Sequence, residues 1–357
     1  MPNKVDVAQF LSFGDQIPIV DVRSPKEFDN AHIPGAYSIP LFSNEERKQV
    51  GIRYKQAGRD FAVQLGLEYV GPKMADLAKE ARKLAKNKEL LIHCWRGGMR
   101  SESMAWLFEM IGIKCTLLEG GYKAYRKYIR EQFKKEIPIL VLGGYTGSGK
   151  TEIIYELQKQ GEQIIDLEGL ANHKGSAFGT IGQLPQPSNE QFENNLAKEW
   201  MKLDTTKAVW IEDESITMGQ CGIPFPLFKR MREAQVFKLV IPKKIREERL
   251  VKEYANGDRE GLRNALERIS RKLGGLRVQQ AIQALYEGDF MKVADISLQY
   301  YDKAYGFGIS KREQSKVKEI HFSKDEPEQT AKYLVELLNW TSENFTTSKF
   351  SEFFTDD

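Results

Sequence analysis

The chain has 357 residues, 41% of them hydrophobic, and a formal net charge of +3, so it can bury two separate domain cores. Its three cysteines are far apart in the sequence, which excludes a disulfide framework and a cysteine-rich zinc site. No apolar run reaches the roughly 18 residues of a membrane span, and the sequence opens without a basic and then apolar signal segment. We therefore expect a cytoplasmic protein without a membrane segment, and a monomer, because no heptad pattern favours self-association.

The first strand and helix signals lie in residues 17–40, IPIVDVRSPKEFDNAHIPGAYSIP. This segment resembles the N-terminal half of rhodanese domains, with a strand that ends at Asp21 and Arg23. The segment LLEGGYKAY at 117–125 resembles the closing segment of the same domains. The resemblance implies a rhodanese-like α/β domain over residues 1–130, in which Asp21 and Arg23 support the central loop.

That central loop is LLIHCWRGGMRS, residues 90–101, which reads as a buried strand, a tight turn and the start of a helix. The two glycines allow successive backbone N–H groups to point inward and form an anion-binding nest, and the helix N-terminus adds positive potential. Cys94 at its centre is predicted to be a nucleophile, with Arg96 and Arg100 holding an anion bound to the sulfur. The rest of the predicted anion-binding loop is Trp95, Gly97, Gly98 and Met99. The alternative is a buried structural cysteine.

The length of this loop bears on which reaction the cysteine carries out. Cys94 and Arg100 enclose five residues, whereas ordinary sulfurtransferases of the rhodanese family have a loop that is one residue shorter. The longer Cys-x5-Arg spacing also resembles that of phosphatases with a catalytic cysteine. It therefore favours an anion larger than thiosulfate and leaves a cysteine phosphatase open as an alternative.

A polar segment at 131–136 is the predicted linker, and a second motif follows it directly. IPILVLGGYTGSGKTEII, residues 137–154, is a strand, the Walker A pattern and a helix, which is the context that a phosphate-binding P-loop requires. Backbone N–H groups of the loop would surround a phosphate chain, Lys150 would add a charge, and the Thr151 hydroxyl would hold Mg²⁺. The predicted phosphate-binding residues are Gly144, Gly147, Ser148, Gly149, Lys150 and Thr151.

Further apolar strands at 163–168, 208–215 and 236–242 alternate with helical segments, which predicts a P-loop NTPase-like domain with a parallel sheet over residues 137–342 and a helical C-terminal part. Loops at the carboxyl ends of such strands line the ligand crevice. We therefore expect substrate or metal contacts from side chains of those loops and from two arginines of a following helix. These candidates are Asp166, His173, Lys174, Ser176, Asp213, Glu214, Arg246 and Arg249. The acid that holds metal-bound water could be Glu212, Asp213 or Glu214, and no His or Cys cluster has the spacing of a zinc site.

Positive charge is concentrated in two stretches. Residues 229–277 hold 15 Lys or Arg against 7 Asp or Glu, and residues 44–62 form a second basic, helical stretch. Such a stretch is either a solvated helix face or a nucleic-acid surface. The final residues, 343–357, form a polar tail that we expect to be poorly ordered.

A rhodanese-like domain followed by a P-loop domain resembles the tRNA 2-selenouridine synthase family. Further segments support the resemblance: VGIRYKQAGRDFAVQLG, DLEGLANHKGSAFG, VWIEDES and RKLGG. It implies an enzyme acting on tRNA that carries 2-thiouridine at the wobble position. In this family a geranyl group from geranyl diphosphate is placed on the thiocarbonyl sulfur, and selenium from selenophosphate then replaces that sulfur. The resemblance implies that the P-loop holds the diphosphate, that Cys94 accepts selenium as a perselenide, and that a selenophosphate-supplying enzyme is a partner.

Two other classes remain open at this stage. The P-loop could hydrolyse ATP and drive sulfur or selenium transfer, which tRNA-stimulated ATP turnover would reveal. A non-catalytic binding protein would need a degenerate rhodanese loop, whereas this loop keeps both its cysteine and its arginines.

Overall fold

The computed structural model describes residues 2–176, 178–255 and 258–345. The chain forms two compact units. The first comprises Met1–Lys134 with Ser188–Lys198, and the second comprises Lys135–Pro187 with Glu199–Asp357. Of the predicted polar tail, residues 346–357 lie outside the described residues.

The first unit alternates strands and helices along the chain. Its elements are β1 (Asn3–Val5), α1 (Val7–Phe13), β2 (Ile19–Asp21), α2 (Pro25–Asn30), β3 (Tyr37–Ser38), α3 (Asn44–Ala57), α4 (Arg59–Val70), a 3-10 turn (Gly71–Lys73), α5 (Met74–Leu84), β4 (Glu89–His93), α6 (Met99–Met110), β5 (Lys114–Leu118) and α7 (Gly121–Gln132).

The five strands of this unit form one parallel sheet in the order β1-β5-β4-β2-β3. Strand β4 is central, and its residues Leu90, Leu91 and Ile92 are almost fully buried, as a strand covered on both faces requires. Because the strands are parallel, β2 and β4 both end at the edge from which the Cys94 loop leaves. Glu27 helps to start α2 near that edge, in a capping box with Ser24.

The second unit begins with the strand that precedes the P-loop. Its elements are β6 (Ile139–Gly144), α8 (Lys150–Lys159), β7 (Gln163–Ile165), α9 (Leu167–Ala171), α10 (Asn189–Met201), β8 (Val209–Glu212), β9 (Thr217–Met218), β10 (Cys221–Gly222), α11 (Phe225–Glu233), β11 (Gln235–Val240), α12 (Lys243–Ala255), α13 (Arg259–Arg268), α14 (Ser270–Leu273), α15 (Gly275–Glu287), α16 (Phe290–Ser310), a 3-10 turn (Gln314–Lys316), β12 (Val317–His321) and α17 (Pro327–Phe345).

A second parallel sheet has the order β12-β11-β6-β8-β7, while β9 and β10 form a separate antiparallel pair. Leu142, Trp210 and Leu239 are buried in the core of this sheet. Helices α13 to α16 bury a separate apolar cluster that includes Leu266 and Leu285. The predicted fold class, two parallel-sheet regions with a helical C-terminal part, is confirmed.

One helix contributes to both units, which the sequence did not indicate. The first part of α10, within residues 188–198, packs in the first unit, where Asn194 donates at 2.8 Å to the hydroxyl of Tyr122 and Arg126 donates to the Asn194 side chain. The last residues of α10 belong to the second unit. Among the described helices, none combines the length and apolar character needed to cross a bilayer.

Candidate active sites

The thiol of Cys94 lies directly after strand β4, in the loop that leads into helix α6. Only 3% of the residue is exposed, and its Sγ lies 3.3 Å from the hydroxyl of Ser101. That hydroxyl donates at 3.0 Å to the carbonyl of Gly98, which leaves its lone pairs able to accept from the thiol. The two other cysteines differ, because burial raises the pKa of the Cys115 thiol to about 12 and that of Cys221 to about 11. Both are predicted to be unreactive.

The backbone of the Cys94 loop presents a row of unused donors. Within the described part of the chain, the amides of residues 95–98 donate to no acceptor. Gly97 has a φ of +67°, a value that favours glycine. The carbonyl of Cys94 accepts from the amide of Tyr122 at 2.8 Å, so the start of helix α7 holds the loop from behind. Free amides at a curled loop suit an anion, and the anion-binding role of the loop stays a prediction.

Two arginines share one carboxylate beside this loop. The Arg100 guanidinium lies 3.0 Å from Oε2 of Glu27, and Nε of Arg47, from helix α3, lies 3.9 Å from the same oxygen. Although burial opposes the charge of Glu27, Arg100 and the hydrogen bonds of Ser24 hold the pKa of its carboxyl below the usual range. Burial and the neighbouring charge of Arg100 lower the pKa of Arg47, while Glu27 and Cys94 favour its charge. The side chain of Arg96, also predicted for this site, is exposed.

A buried ion pair supports the loop from the adjacent strand. Arg23 and Asp21 are both buried, and their charged groups lie 2.6 Å apart. Arg23 also donates at 2.6 Å to the carbonyl of Ala31 and lies over the Tyr122 ring at 3.9 Å. Through these contacts Arg23 connects the segment at 17–40 with the segment at 117–125.

The P-loop of the second unit connects β6 to α8. Gly147 and Gly149 have φ values of +81° and +75°, which explains why glycine is needed at both positions. Nζ of Lys150 lies 3.3 Å from the carbonyl of Gly144. The amide of Gly144 donates at 2.8 Å to the hydroxyl of Tyr305, so helix α16 holds the first residue of the loop.

Three carboxylates lie beside Lys150 and Thr151. One oxygen from each of Glu168, Glu212 and Glu214 lies within 4.8 Å of the others, and Thr151 donates at 3.2 Å to Glu168. Glu212 is fully buried, and neither of its oxygens has a hydrogen-bond partner in the described residues.

Burial and the mutual repulsion of the carboxylates raise the pKa values of this cluster. Burial, with the charge of Glu168, raises the pKa of Glu214 to about 8 and that of Glu212 well above its usual range. Burial also raises the pKa of Glu168. Although burial opposes the charge of Lys150, Glu212 and Glu214 raise its pKa. A cluster of this kind attracts a cation, and carboxylate and hydroxyl oxygens suit Mg²⁺.

The sequence named three candidate acids at the end of β8, and the structure separates them. Asp213 is paired with Arg312 at 2.5 Å and with Arg232 at 3.6 Å, so its charge is already compensated. Glu212 and Glu214 instead face the cluster. Glu168 was not among the predicted site residues, although a carboxylate directly after β7 is a signal that could have identified it.

A cavity of about 860 Å³ opens beside the P-loop, and all of its lining residues belong to the second unit. Its polar end is formed by the P-loop and the carboxylates. Its other walls carry apolar and aromatic side chains. From helices come Phe228, Leu250, Tyr300, Tyr301 and Ile309, whereas Phe178 belongs to the loop after α9 and Ile269 to the turn between α13 and α14. The cavity therefore suits a ligand with a phosphorylated end and an apolar body.

Four further predicted contacts lie in or beside this cavity. Asp166, Lys174 and Ser176 line it. Asp166 also caps helix α9 by accepting from the amide of Gly169 at 2.7 Å, which gives it a structural role. His173 is buried and does not line the cavity, and its Nδ1 has no partner in the described residues.

The two predicted contact arginines of helix α12 each pair with a carboxylate. Arg246 is buried, forms a two-bond pair with Asp302 at 2.8 Å per bond, and donates at 3.3 Å to the carbonyl of Thr146. It supports the P-loop from outside the cavity wall. Arg249 lines the cavity and pairs at 2.9 Å with Glu152.

Much of the charge in residues 229–277 is paired within the chain. Lys238 pairs with Glu319 at 2.6 Å, Arg263 pairs with Glu260 at 2.5 Å, and Lys243 pairs with Asp295. In the described structure, five basic residues of helices α13 to α15 make no ion pair. They are Arg259, Arg268, Arg271, Lys272 and Arg277.

Comparison with known proteins gives two family matches. Residues 137–337 match the tRNA 2-selenouridine synthase AAA domain, and residues 5–128 match the rhodanese-like domain.

Curated relatives match over nearly the full chain. A tRNA 2-selenouridine synthase of Marinobacter nauticus is 33% identical, covering 88% of this chain and 94% of that protein. One of Bdellovibrio bacteriovorus is 35% identical, covering 84% and 91%. Among solved structures, a rhodanese-related protein of Thermoplasma volcanium is 15% identical, covers 35% of this chain and 92% of that chain, and has a TM-score of 0.23.

Proposed function

The chain belongs to the tRNA 2-selenouridine synthase family, and we propose that it replaces the sulfur of wobble 2-thiouridine in tRNA with selenium from selenophosphate. The observation that carries this proposal is that one chain holds two loops that each suit an anion but differ in their chemistry. One surrounds the thiol of Cys94, and the other, a P-loop, opens into a partly apolar cavity. A kinase alone needs no such thiol, and a simple sulfurtransferase needs no P-loop.

The first stage of the proposed reaction is geranylation of the thiocarbonyl sulfur. Geranyl diphosphate has a charged end and an apolar chain, and the cavity of about 860 Å³ offers both environments. Burial of the chain among Leu250, Ile269 and Tyr301 would contribute about 0.8 kcal/mol for each CH₂ group. The amides of Gly147 and Gly149 and the charge of Lys150 would hold the diphosphate as the allylic C–O bond breaks. Alkylation converts the sulfur into a better leaving group.

The carboxylate cluster supports a role for Mg²⁺ at the diphosphate end. Oxygen donors come from Glu168, Glu212, Glu214 and the hydroxyl of Thr151. Both oxygens of Glu212 are buried without a hydrogen-bond partner in the described residues, and a bound cation would supply the missing partner. When bound, Mg²⁺ would neutralise negative charge on the leaving diphosphate. Lys150, whose pKa is raised despite its burial, would act on the same group.

In the second stage, selenium from selenophosphate enters through the Cys94 loop. The free amides of residues 95–98 and the guanidinium of Arg100 would hold the anion beside the thiol. Arg96, whose side chain is exposed, would meet the incoming anion. The selenium would then attack C2 of the geranylated base and expel geranylthiol.

The tRNA needs a positively charged surface, because phosphate contacts dominate such binding. The unpaired basic residues of helices α13 to α15 are the best candidates, since their charge is not compensated within the described chain. We expect binding there to weaken steeply as salt concentration rises. An enzyme that makes selenophosphate is the expected supplier.

Two variants test the division of labour. Cys94→Ala should abolish selenation and leave geranylation intact, whereas Lys150→Ala should abolish geranylation and still allow selenation of RNA that is already geranylated. Cys115→Ala and Lys159→Ala are matched controls, because burial raises the pKa of the Cys115 thiol to about 12 and Lys159 is exposed on the same helix as Lys150. Loss of both activities in both variants would contradict the proposal. If geranylation required ATP, the P-loop would be a nucleotide site instead.

A further inference from the structure

The electron balance of selenium delivery sets a constraint on Cys94. If the thiolate attacked the selenium of selenophosphate, an S–Se bond would form, and the electron pair of the broken P–Se bond would stay on phosphorus. The products would be a perselenide and phosphite. To release phosphate instead, that route needs a two-electron oxidant, and no group in the described structure supplies one.

We propose that Cys94 takes the phosphoryl group rather than the selenium, and that Arg47 is the second guanidinium that holds this group. In this step the thiolate attacks phosphorus, an S–P bond forms, and the P–Se bond breaks with its electron pair on selenium. The hydrogen selenide that leaves attacks C2 of the geranylated base, a C–Se bond forms, and the C–S bond breaks to give geranylthiol. Water then hydrolyses the S–P bond and releases phosphate, so no atom changes its oxidation state.

The donors around Cys94 suit a phosphoryl group. Its oxygens carry several negative charges and need several donors, whereas a terminal selenium atom carries one charge and needs few. The amides of residues 95–98 donate to no acceptor in the described structure, and the guanidinium groups of Arg47 and Arg100 both lie beside Glu27. The charge of Cys94 also acts on Arg47. Because Arg47 and Arg100 share the single carboxylate of Glu27, the group retains one uncompensated positive charge. A multiply charged anion would compensate it.

The side chain of Arg47 lacks an acceptor for one of its buried donors. Its Nε is buried and makes no hydrogen bond in the described structure, although the guanidinium lies beside Glu27. A buried N–H without an acceptor is costly and calls for an explanation. A bound oxyanion would supply the acceptor and separate the like charges of Arg47 and Arg100, which now oppose each other.

The inference rests on the proposed function for the identity of the anion, and its first test needs no RNA. Full-length protein is mixed anaerobically with selenophosphate labelled at phosphorus, quenched in acid, and digested to locate the label. We expect phosphorus on Cys94, resistant to thiol reductants, with selenide released and orthophosphate as the final product by phosphorus NMR. Selenium on Cys94 that a reductant removes, with phosphite in solution, would overturn the proposal. Failure of selenouridine formation would count against the proposed function and leave this result unaffected.

A second test isolates Arg47. Inorganic phosphate should protect Cys94 from alkylation in the wild type, and Arg47→Lys should need about tenfold more phosphate, because one charge-assisted hydrogen bond is lost. Arg53→Lys, on the exposed face of the same helix, should match the wild type. Equal protection in Arg47→Lys and wild type would remove Arg47 from the site.

Discussion

Replacing Gly121 with alanine should disable the Cys94 loop without touching any reacting group. Gly121 has a φ of +60°, and a Cβ atom placed there would lie 2.4 Å from the Cys94 carbonyl oxygen and 2.5 Å from the amide nitrogen of Gly97. Both neighbours are backbone atoms of the loop. Since unstrained contacts to carbon need about 3.5 Å, the loop must shift by about 1 Å. A shift of that size in a catalytic group costs about a hundredfold in rate.

The assay measures both activities of each variant on a 2-thiouridine anticodon stem-loop. Because the Cys94 loop is displaced by about 1 Å, Gly121→Ala should show a selenation rate about a hundredfold lower than the wild type. Its geranylation rate should be unchanged. Gly112→Ala is the matched control, because Gly112 also has a positive φ of +83° but no atom within 4 Å of an added Cβ. Any backbone strain is therefore similar in the two variants. Selenation by Gly121→Ala at the rate of Gly112→Ala would refute the steric argument.

Two further predictions concern the P-loop unit. Glu212 and Glu214 have raised pKa values in the folded chain, so they keep their protons at pH values where the unfolded chain has lost them. The folded state then binds more protons than the unfolded state. Without divalent cations, the melting temperature should therefore fall as pH rises from about 5 to 8. Differential scanning fluorimetry should show that the melting temperature of Glu214→Gln depends less on pH than that of the wild type. Added Mg²⁺ should stabilise the wild type more at about pH 8 than at about pH 5. Identical pH dependence in Glu214→Gln and the wild type would contradict this prediction. Arg246→Lys loses the two-bond pair with Asp302, so the KM for geranyl diphosphate should rise about tenfold while selenation of pre-geranylated RNA stays normal. Loss of selenation in this variant would indicate global unfolding instead.

The sequence predicted the local backbone conformation of both candidate sites. The glycines around Cys94 and the P-loop glycines need particular backbone conformations, and those needs show in the chain itself. Gly97, Gly147 and Gly149 all have positive φ values. The fold class followed from apolar strands that alternate with helices, because parallel strands buried on both faces leave continuous apolar runs.

Contacts that depend on packing between distant segments left no local signal. Arg47 belongs to an ordinary basic helix in the sequence, and only the packing of α3 beside Glu27 shows where its guanidinium lies. Nothing in the sequence of α10 distinguishes a segment that packs beside Tyr122 from any other amphipathic helix. Asp213 and Glu214 are adjacent in the sequence, yet Arg312 engages the first while the second faces the carboxylate cluster.

The central claim is that one chain first geranylates a thiouridine and then exchanges that sulfur for selenium. The most direct test is mass spectrometry of nucleosides from a 2-thiouridine anticodon stem-loop, incubated with the protein and geranyl diphosphate before and after selenophosphate is added. The account predicts geranylated thiouridine in the first sample and selenouridine in the second, without ATP. An unchanged nucleoside in both samples, or selenouridine formed only when ATP is present, would contradict it.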